Sequence, residues 1–298
     1  MEGQFYIIMK NTTDISHFGF IGFGLIGGSI AHALRELYPD SDIMAYNYYE
    51  TKAHPQLELA KNDGILSDIS TSLADFSRCD VIFLCAPVMT NVAYLEKLKP
   101  YLSKDCIITD VGSVKGNIHT VIEKMGLTKQ FVGGHPMTGS EKTGYSNSGS
   151  SFLKGAYYIL TPTEDAPAEY VDWLKQFVTA SGAKCEIMDY KTHDKMTAAI
   201  SHCPHVVSAA LVNMVAANDT QDDYSKLAAG GFKDITRISS SSPEMWQNIC
   251  MTNSDSILEF LDQYMQIITN IKQSITDGDA DAIIHFFETA KKYRDNIK

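Results

Sequence analysis

The stretch VGGHPMTGSEKTG, residues 132–144, sets a single histidine, His135, between a glycine pair and a proline. An imidazole changes charge near neutral pH, so it can take a proton from a hydroxyl and give it back. Glycine lets backbone come close to a ligand, and proline stiffens the chain behind it. The stretch therefore reads as a strand-to-loop turn that presents His135, with Glu141 and Lys142 following. Four further segments carry residues fit for chemistry. DVGSVKG, 110–116, ends a strand in a Gly-Ser turn and offers the Ser113 hydroxyl. HDKMTAAISHCPH, 193–205, places His202 and His205 three apart, hence near one another on a helix. GGFKDITR, 230–237, is glycine-rich and ends in Arg237, whose plain alternative is a pairing with Asp234 on a loop. SPEMW, 242–246, reads as an N-cap (Ser242) and first helical residue (Pro243) leading to Trp246. No further Cys or His cluster completes four ligands around His202-Cys203-Pro204-His205, so no metal is expected.

These groups need a scaffold, and the first half of the chain alternates short β-rich runs with helical patterns, the mark of a parallel α/β sheet. Strands are expected at 17–22, 42–47, 80–87, 106–112 and 131–134, with 157–162 and 184–189 extending the same sheet. GFIGFGLIGGSIAHAL, 19–34, holds Gly22-x-Gly24-x-x-Gly27 directly after a strand and before a helix. In a dinucleotide-binding turn the first glycine makes the bend, the second admits a pyrophosphate and the third lets helix and strand pack closely. The phosphates sit on the free N–H groups at the helix start, here Leu25, Ile26 and Gly27, while Ala86 and Pro87 border the cofactor after a later strand. Asn47 stands where an acid usually holds the ribose, and is expected to bond its hydroxyls. No arginine follows to reward a 2′-phosphate, and Glu50 discourages one, so NAD is expected with NADP tolerated.

From about Tyr190 long amphipathic helices take over, with Thr192 as N-cap, Pro204 as a kink and an Asp277-Gly278-Asp279 turn before the last helix. Ile257, Leu261, Tyr264, Ile268, Ile271 and Ile275 form a stripe expected to be buried in helix packing, and a homodimer is favoured over a monomeric helical cap. The fold class is thus α/β: a dinucleotide-binding (Rossmann) domain over 1–189, then an all-helical substrate-binding and dimerisation domain over 190–298. A net charge of −11 argues against nucleic acid or an anionic membrane as partner. The six cysteines read as reduced thiols, and neither a signal peptide nor a membrane-length apolar run is seen, so a cytoplasmic protein is expected.

Taken in order, these segments resemble the prephenate and arogenate dehydrogenases of tyrosine biosynthesis. That family carries the glycine turn, a Gly-Ser-Val-Lys turn and Gly-x-His-Pro-Met-x-Gly-x-Glu-x-x-Gly. Ser-His-x-Pro-His, Gly-Phe-Arg-Asp-x-Thr-Arg and a Pro-x-Met-Trp-like element follow. The chain matches each, with Lys233 in place of the first arginine and Asn47 at the usual acid position. The resemblance implies hydride transfer from the ring carbon bearing a hydroxyl, with loss of the ring carboxylate as carbon dioxide. It implies His135 as the acceptor of the hydroxyl proton and Ser113 as its orienting partner. It further implies Arg237 on a substrate carboxylate, His205 on the side chain, Glu141 gating the pocket and Trp246 lining it. Prephenate and arogenate both remain open as substrate. A β-hydroxyacid dehydrogenase would instead use a lysine near Lys195, and leaves His135 and Arg237 unexplained; a nicotinamide-sensing regulator would need no substrate cation at all.

Overall fold

The computed structural model describes residues 15–49, 52–139, 142–220 and 223–297. Five parallel strands, β1 (His17–Ile21), β2 (Asp42–Tyr46), β3 (Asp68–Ser70), β4 (Val81–Leu84) and β5 (Ile107–Asp110), form a sheet in the order β3-β2-β1-β4-β5. Three more, β6 (Val132–Pro136), β7 (Tyr157–Pro162) and β8 (Lys184–Ile187), make a second sheet with β6 antiparallel to β7. One parallel bridge, Ile108 to Phe131, joins the two. Strands 157–162 and 184–189 therefore build their own sheet around β7 instead of extending the first. The three residues of β3 were too few to leave a pattern in the sequence.

Helices α1 (Leu25–Leu37), α2 (Pro55–Asn62), α3 (Val88–Leu98), α4 (Gly116–Met125) and α5 (Ala168–Ala180) alternate with the strands. A parallel sheet covered on both faces needs apolar residues in both directions. Phe18, Phe20, Ile43, Ala45, Val81 and Phe83 face one core with Ile30 and Leu34 of α1 and Trp173 and Phe177 of α5. Met44, Ile82, Leu84 and Ile108 face the other, with Leu95 of α3 and Ile118 and Ile122 of α4. The carboxyl ends of β1, β4, β5 and β6 thus share one edge, where ligands of such sheets bind. Gly182 caps the chain beyond α5 at φ 86°, as its type requires.

The rest of the chain is helical: α6 (Tyr190–Thr197), α7 (Cys203–Asn218), α8 (Asp223–Leu227), α9 (Gly230–Thr236), α10 (Pro243–Thr252), α11 (Ser254–Asp277) and α12 (Ala280–Arg294). Two compact units result, one ending at Thr197 but including Ser240–Thr252, the other Ala198–Ser239 with Asn253 onward. Asp189, not Thr192, caps α6: its carboxylate accepts from the Lys191 and Thr192 N–H groups and from the Thr192 hydroxyl. Pro204 produces no simple kink. A π-helical turn, Ala198–His202, precedes it and absorbs the proline at the start of α7. The GGFKDITR segment is the helix α9 running into Arg237, not a loop.

Two further expectations need correction. Among the described residues the helical run Tyr190–Asn218 is long and apolar enough, by length and composition only, to cross a membrane. The α11 stripe is also not buried within one chain: Ile257 is, whereas Tyr264, Ile268 and Ile275 are 38, 43 and 63% exposed.

Inside the first unit a buried histidine makes stability depend on acid. His119 bonds the Thr161 hydroxyl at 3.0 Å and stacks on Tyr190 at 4.5 Å. Burial first, and the Lys115 charge second, push its pKa from 6.5 down to about 4. The unfolded chain therefore binds a proton that the native state refuses between those values. Stability is complete above pH 6.5 and falls as pH drops toward about 4, by roughly 3 kcal/mol from this group. Urea unfolding across that range should show a shallower acid loss for His119→Gln than for wild type. Equal slopes would remove His119 as the cause.

Candidate active site

The glycine turn has the geometry that a dinucleotide requires. Gly22 has φ 83°, and a Cβ there would lie 2.5 Å from the Ala86 nitrogen. A Cβ on Gly27 would lie 2.9 Å from the Gly22 carbonyl, so helix and strand pack as the motif demands. Gly24, by contrast, would meet nothing within 4 Å. It is the N-cap of α1 and supplies no side-chain cap, so open space lies beside Gly24 where that helix starts. Ala86 and Pro87 follow β4, with the Ala86 N–H donating to Asn91 Oδ1 at 3.0 Å.

Asn47 does not stand ready for a ribose. It is 2% exposed, its Nδ2 donates to the Tyr49 and Lys52 carbonyls at 2.9 Å, and its Oδ1 accepts from the His54 N–H at 3.0 Å. The side chain pins the loop after β2 from inside, which corrects the expectation that it reaches the ribose hydroxyls. Glu50 lies outside the described residues, as does Glu141.

His135 lies within β6, opposite Ile159 of β7, and not in a turn. The glycines before it are required by the packing of the strand itself. A Cβ on Gly133 would lie 2.3 Å from the Thr161 hydroxyl, and one on Gly134 2.6 Å from the Asp110 carbonyl. Half-buried His135 has Nδ1 2.8 Å from Nε2 of His193, whose own Nδ1 is 2.8 Å from Asp194 Oδ1. Asp194 in turn accepts from the N–H groups of Lys115 (2.8 Å) and Gly116 (2.7 Å), which ties α6 to the start of α4. Lys115 is wholly buried; its ammonium pairs with Asp110 and donates to the Gly134 carbonyl at 2.8 Å. Burial lowers the Lys115 pKa, opposed by Asp110 first and Asp194 after it. Asp110 also accepts from the N–H groups of Gly112 and Gly134, so the half-buried turn bearing Ser113 and the strand bearing His135 are clamped by one carboxylate.

In the second unit His205 donates from Nδ1 to the Ser201 carbonyl at 2.8 Å, the carbonyl left behind by the π-turn. Burial first, with the Arg237 charge adding, holds His205 below the ordinary histidine value against the pull of that carbonyl. Ser208 of α7 bonds the Ile235 carbonyl (2.9 Å) and the Ser239 hydroxyl (2.7 Å), and so fixes both flanks of Arg237. Arg237 is exposed and forms no ion pair with Asp234 among the described residues. His202 faces elsewhere: it is buried against the Asn253 amide at 3.1 Å. Trp246 sits half-buried in α10, in the first unit, and Ser242 caps that helix on the Met245 N–H. Lys195 occupies the exposed side of α6, whereas His193 and Asp194 are buried.

Sequence pattern alone does not single out Asp110, Lys115, His193 and Asp194. The signals were an aspartate closing one strand, a lysine just beyond its Gly-Ser turn, and an adjacent His-Asp pair opening a helix.

An open glycine turn at the carboxyl edge of a parallel sheet, followed by a helical half, is the architecture of nucleotide-binding dehydrogenases. Residues 30–187 match the family model described as prephenate dehydrogenase, nucleotide-binding domain, and 189–289 match prephenate dehydrogenase, dimerization domain. The chain is 35% identical over 282 residues to a prephenate dehydrogenase of Bacillus subtilis, covering 93% of this chain and 74% of that one. It is similar to the crystal structure of prephenate dehydrogenase from Aquifex aeolicus in complex with hydroxyphenyl propionate and NAD+, with TM-score 0.88, 32% identity and 97% and 100% of the two chains covered. Synechocystis arogenate dehydrogenase superposes with TM-score 0.82 at 28% identity, over 95% and 100%. The chain belongs to the prephenate dehydrogenase family.

Proposed function

We propose that the protein oxidatively decarboxylates prephenate to 4-hydroxyphenylpyruvate, with NAD as the preferred hydride acceptor, NADP tolerated and arogenate the alternative substrate. The observation that carries this is His135, anchored through His193 to Asp194 at the same strand edge as the open Gly24 turn. The turn at Gly22, Gly24 and Gly27 holds the pyrophosphate on the α1 N–H groups, and the bound nicotinamide supplies the hydride acceptor. His135 takes the proton from the oxygen of the ring hydroxyl while the hydride leaves the carbon that bears this hydroxyl for the nicotinamide. The bond to the ring carboxylate then breaks, its electron pair makes the ring aromatic, and the phenol oxygen recovers the proton from His135. Ser113 orients the hydroxyl and His135.

Arg237 holds a substrate carboxylate and His205, kept neutral, meets the substrate side chain; the family pattern adds a gating role for Glu141 and a lining role for Trp246. We divide the chain at 189/190 into cofactor and substrate domains. Arg237→Lys swaps a fork for a point charge and should raise the prephenate KM about tenfold with little change in kcat. An unchanged KM would pass the role to Lys233, one turn back in α9. Two copies associate through helical faces such as the exposed Tyr264–Ile275 stripe, supported by the dimerization-domain match. Light scattering should give the mass of two chains at working concentration; a stable single-chain mass would sink the dimer.

A further inference from the structure

The geometry points to His193 and Asp194 as a positioning pair that fixes which nitrogen of His135 carries its proton. The inference rests on the proposed role of His135 as proton acceptor. A carboxylate only accepts hydrogen bonds. Asp194 takes the Lys115 and Gly116 N–H groups on its two oxygens, and against that acceptor His193 Nδ1, 2.8 Å away, carries the proton. Neutral His193 then has its lone pair at Nε2, and His135 Nδ1, 2.8 Å away, must be the donor. The lone pair of His135 is thereby placed on Nε2, the other side of the ring.

Among the described residues, burial and backbone anchors hold His193 in this order. His193 is 0% exposed, so water does not replace either partner. Its backbone is held at both ends, by its N–H to the Asp189 carbonyl and by the Thr197 hydroxyl on its own carbonyl. When Nε2 of His135 takes the hydroxyl proton, the ring becomes a cation whose Nδ1–H already points at His193. That bond becomes charge-assisted and strengthens as the charge forms. Only one proton moves, from the hydroxyl to His135, and no further transfer along the chain is needed. The pair thus does for His135 what a buried carboxylate does for any histidine base: it selects the tautomer and steadies the cation.

The test is nitrogen NMR of the full-length protein labelled with 15N-histidine, above the His135 titration and without substrate. Wild type should show His135 protonated at Nδ1 and bare at Nε2. His193→Phe keeps the ring shape but removes the acceptor, so His135 should move to a tautomer mixture and kcat should fall at least roughly tenfold. NAD+ affinity by calorimetry should not move. His193→Gln, which returns an accepting oxygen, should restore the Nδ1–H tautomer and part of the rate. A wild-type His135 protonated at Nε2, or an unchanged tautomer in His193→Phe, overturns the inference. Should His193→Phe fail to fold, wild type and His193→Gln still decide it. A protein with the expected tautomer but no oxidation of prephenate would instead sink the proposed function and leave the positioning pair supported.

Discussion

His135→Asn should lower kcat by roughly a hundred-fold or more, the scale of a lost acid–base group. The substitution isolates chemistry from structure. The asparagine amide can still donate toward His193 Nε2, from about where the imidazole Nδ1 lies 2.8 Å away. What it lacks is a basic nitrogen on the far side of the ring. The glycine turn lies on other strands, so NAD+ affinity should stay within a factor of about two of wild type, a difference well under 1 kcal/mol. The test is steady-state kinetics with prephenate alongside calorimetric titration of NAD+. An unimpaired kcat would take His135 out of the reaction, and a loss of NAD+ affinity would mean that the variant damaged the fold.

Lys115→Met carries the largest expected structural effect. The ammonium is fully buried beside Asp110, itself 1% exposed, and Asp194 is close behind. Removing one partner of a buried ion pair strands the other charge, which costs about 3–5 kcal/mol. Methionine fills similar volume, so the loss reports charge more than a cavity. Asp110 keeps only the Gly112 and Gly134 N–H groups, and the clamp between β5 and β6 loosens just where Ser113 and His135 are held. The double variant Asp110→Asn with Lys115→Met should recover part of the loss, because no buried charge then lacks a partner. Urea unfolding decides: a single-variant loss below about 1 kcal/mol, the worth of an exposed pair, would contradict the assignment.

The sequence disclosed what local pattern encodes. Gly22-x-Gly24-x-x-Gly27 between a strand and a helix located the cofactor turn, because each glycine answers a separate steric demand that its position exposes. The buried runs at 81–84 and 107–110 read as parallel strands since both their faces are covered. What stayed hidden depends on pairing across the chain. Gly133 and Gly134 looked like ligand glycines, yet they exist because Thr161 and Asp110 crowd β6 from either side. Asn47 looked like a ribose ligand, yet three backbone groups of its own loop use it up. The partnership of His135 with His193 spans 58 residues, and no spacing in the sequence announces it. The α11 stripe was legible as apolar, but in the single chain Tyr264, Ile268 and Ile275 are exposed, and apolar spacing alone does not say what a helix face meets.

This chain couples hydride removal from the hydroxyl-bearing ring carbon to loss of the ring carboxylate. The most direct measurement incubates the purified protein with prephenate and NAD+ and follows reduced dinucleotide and carbon dioxide together. Both should appear in equal amounts, with 4-hydroxyphenylpyruvate as the organic product and a rate that collapses in His135→Asn. Absence of reduced dinucleotide with prephenate and with arogenate, using either NAD+ or NADP+, would contradict it.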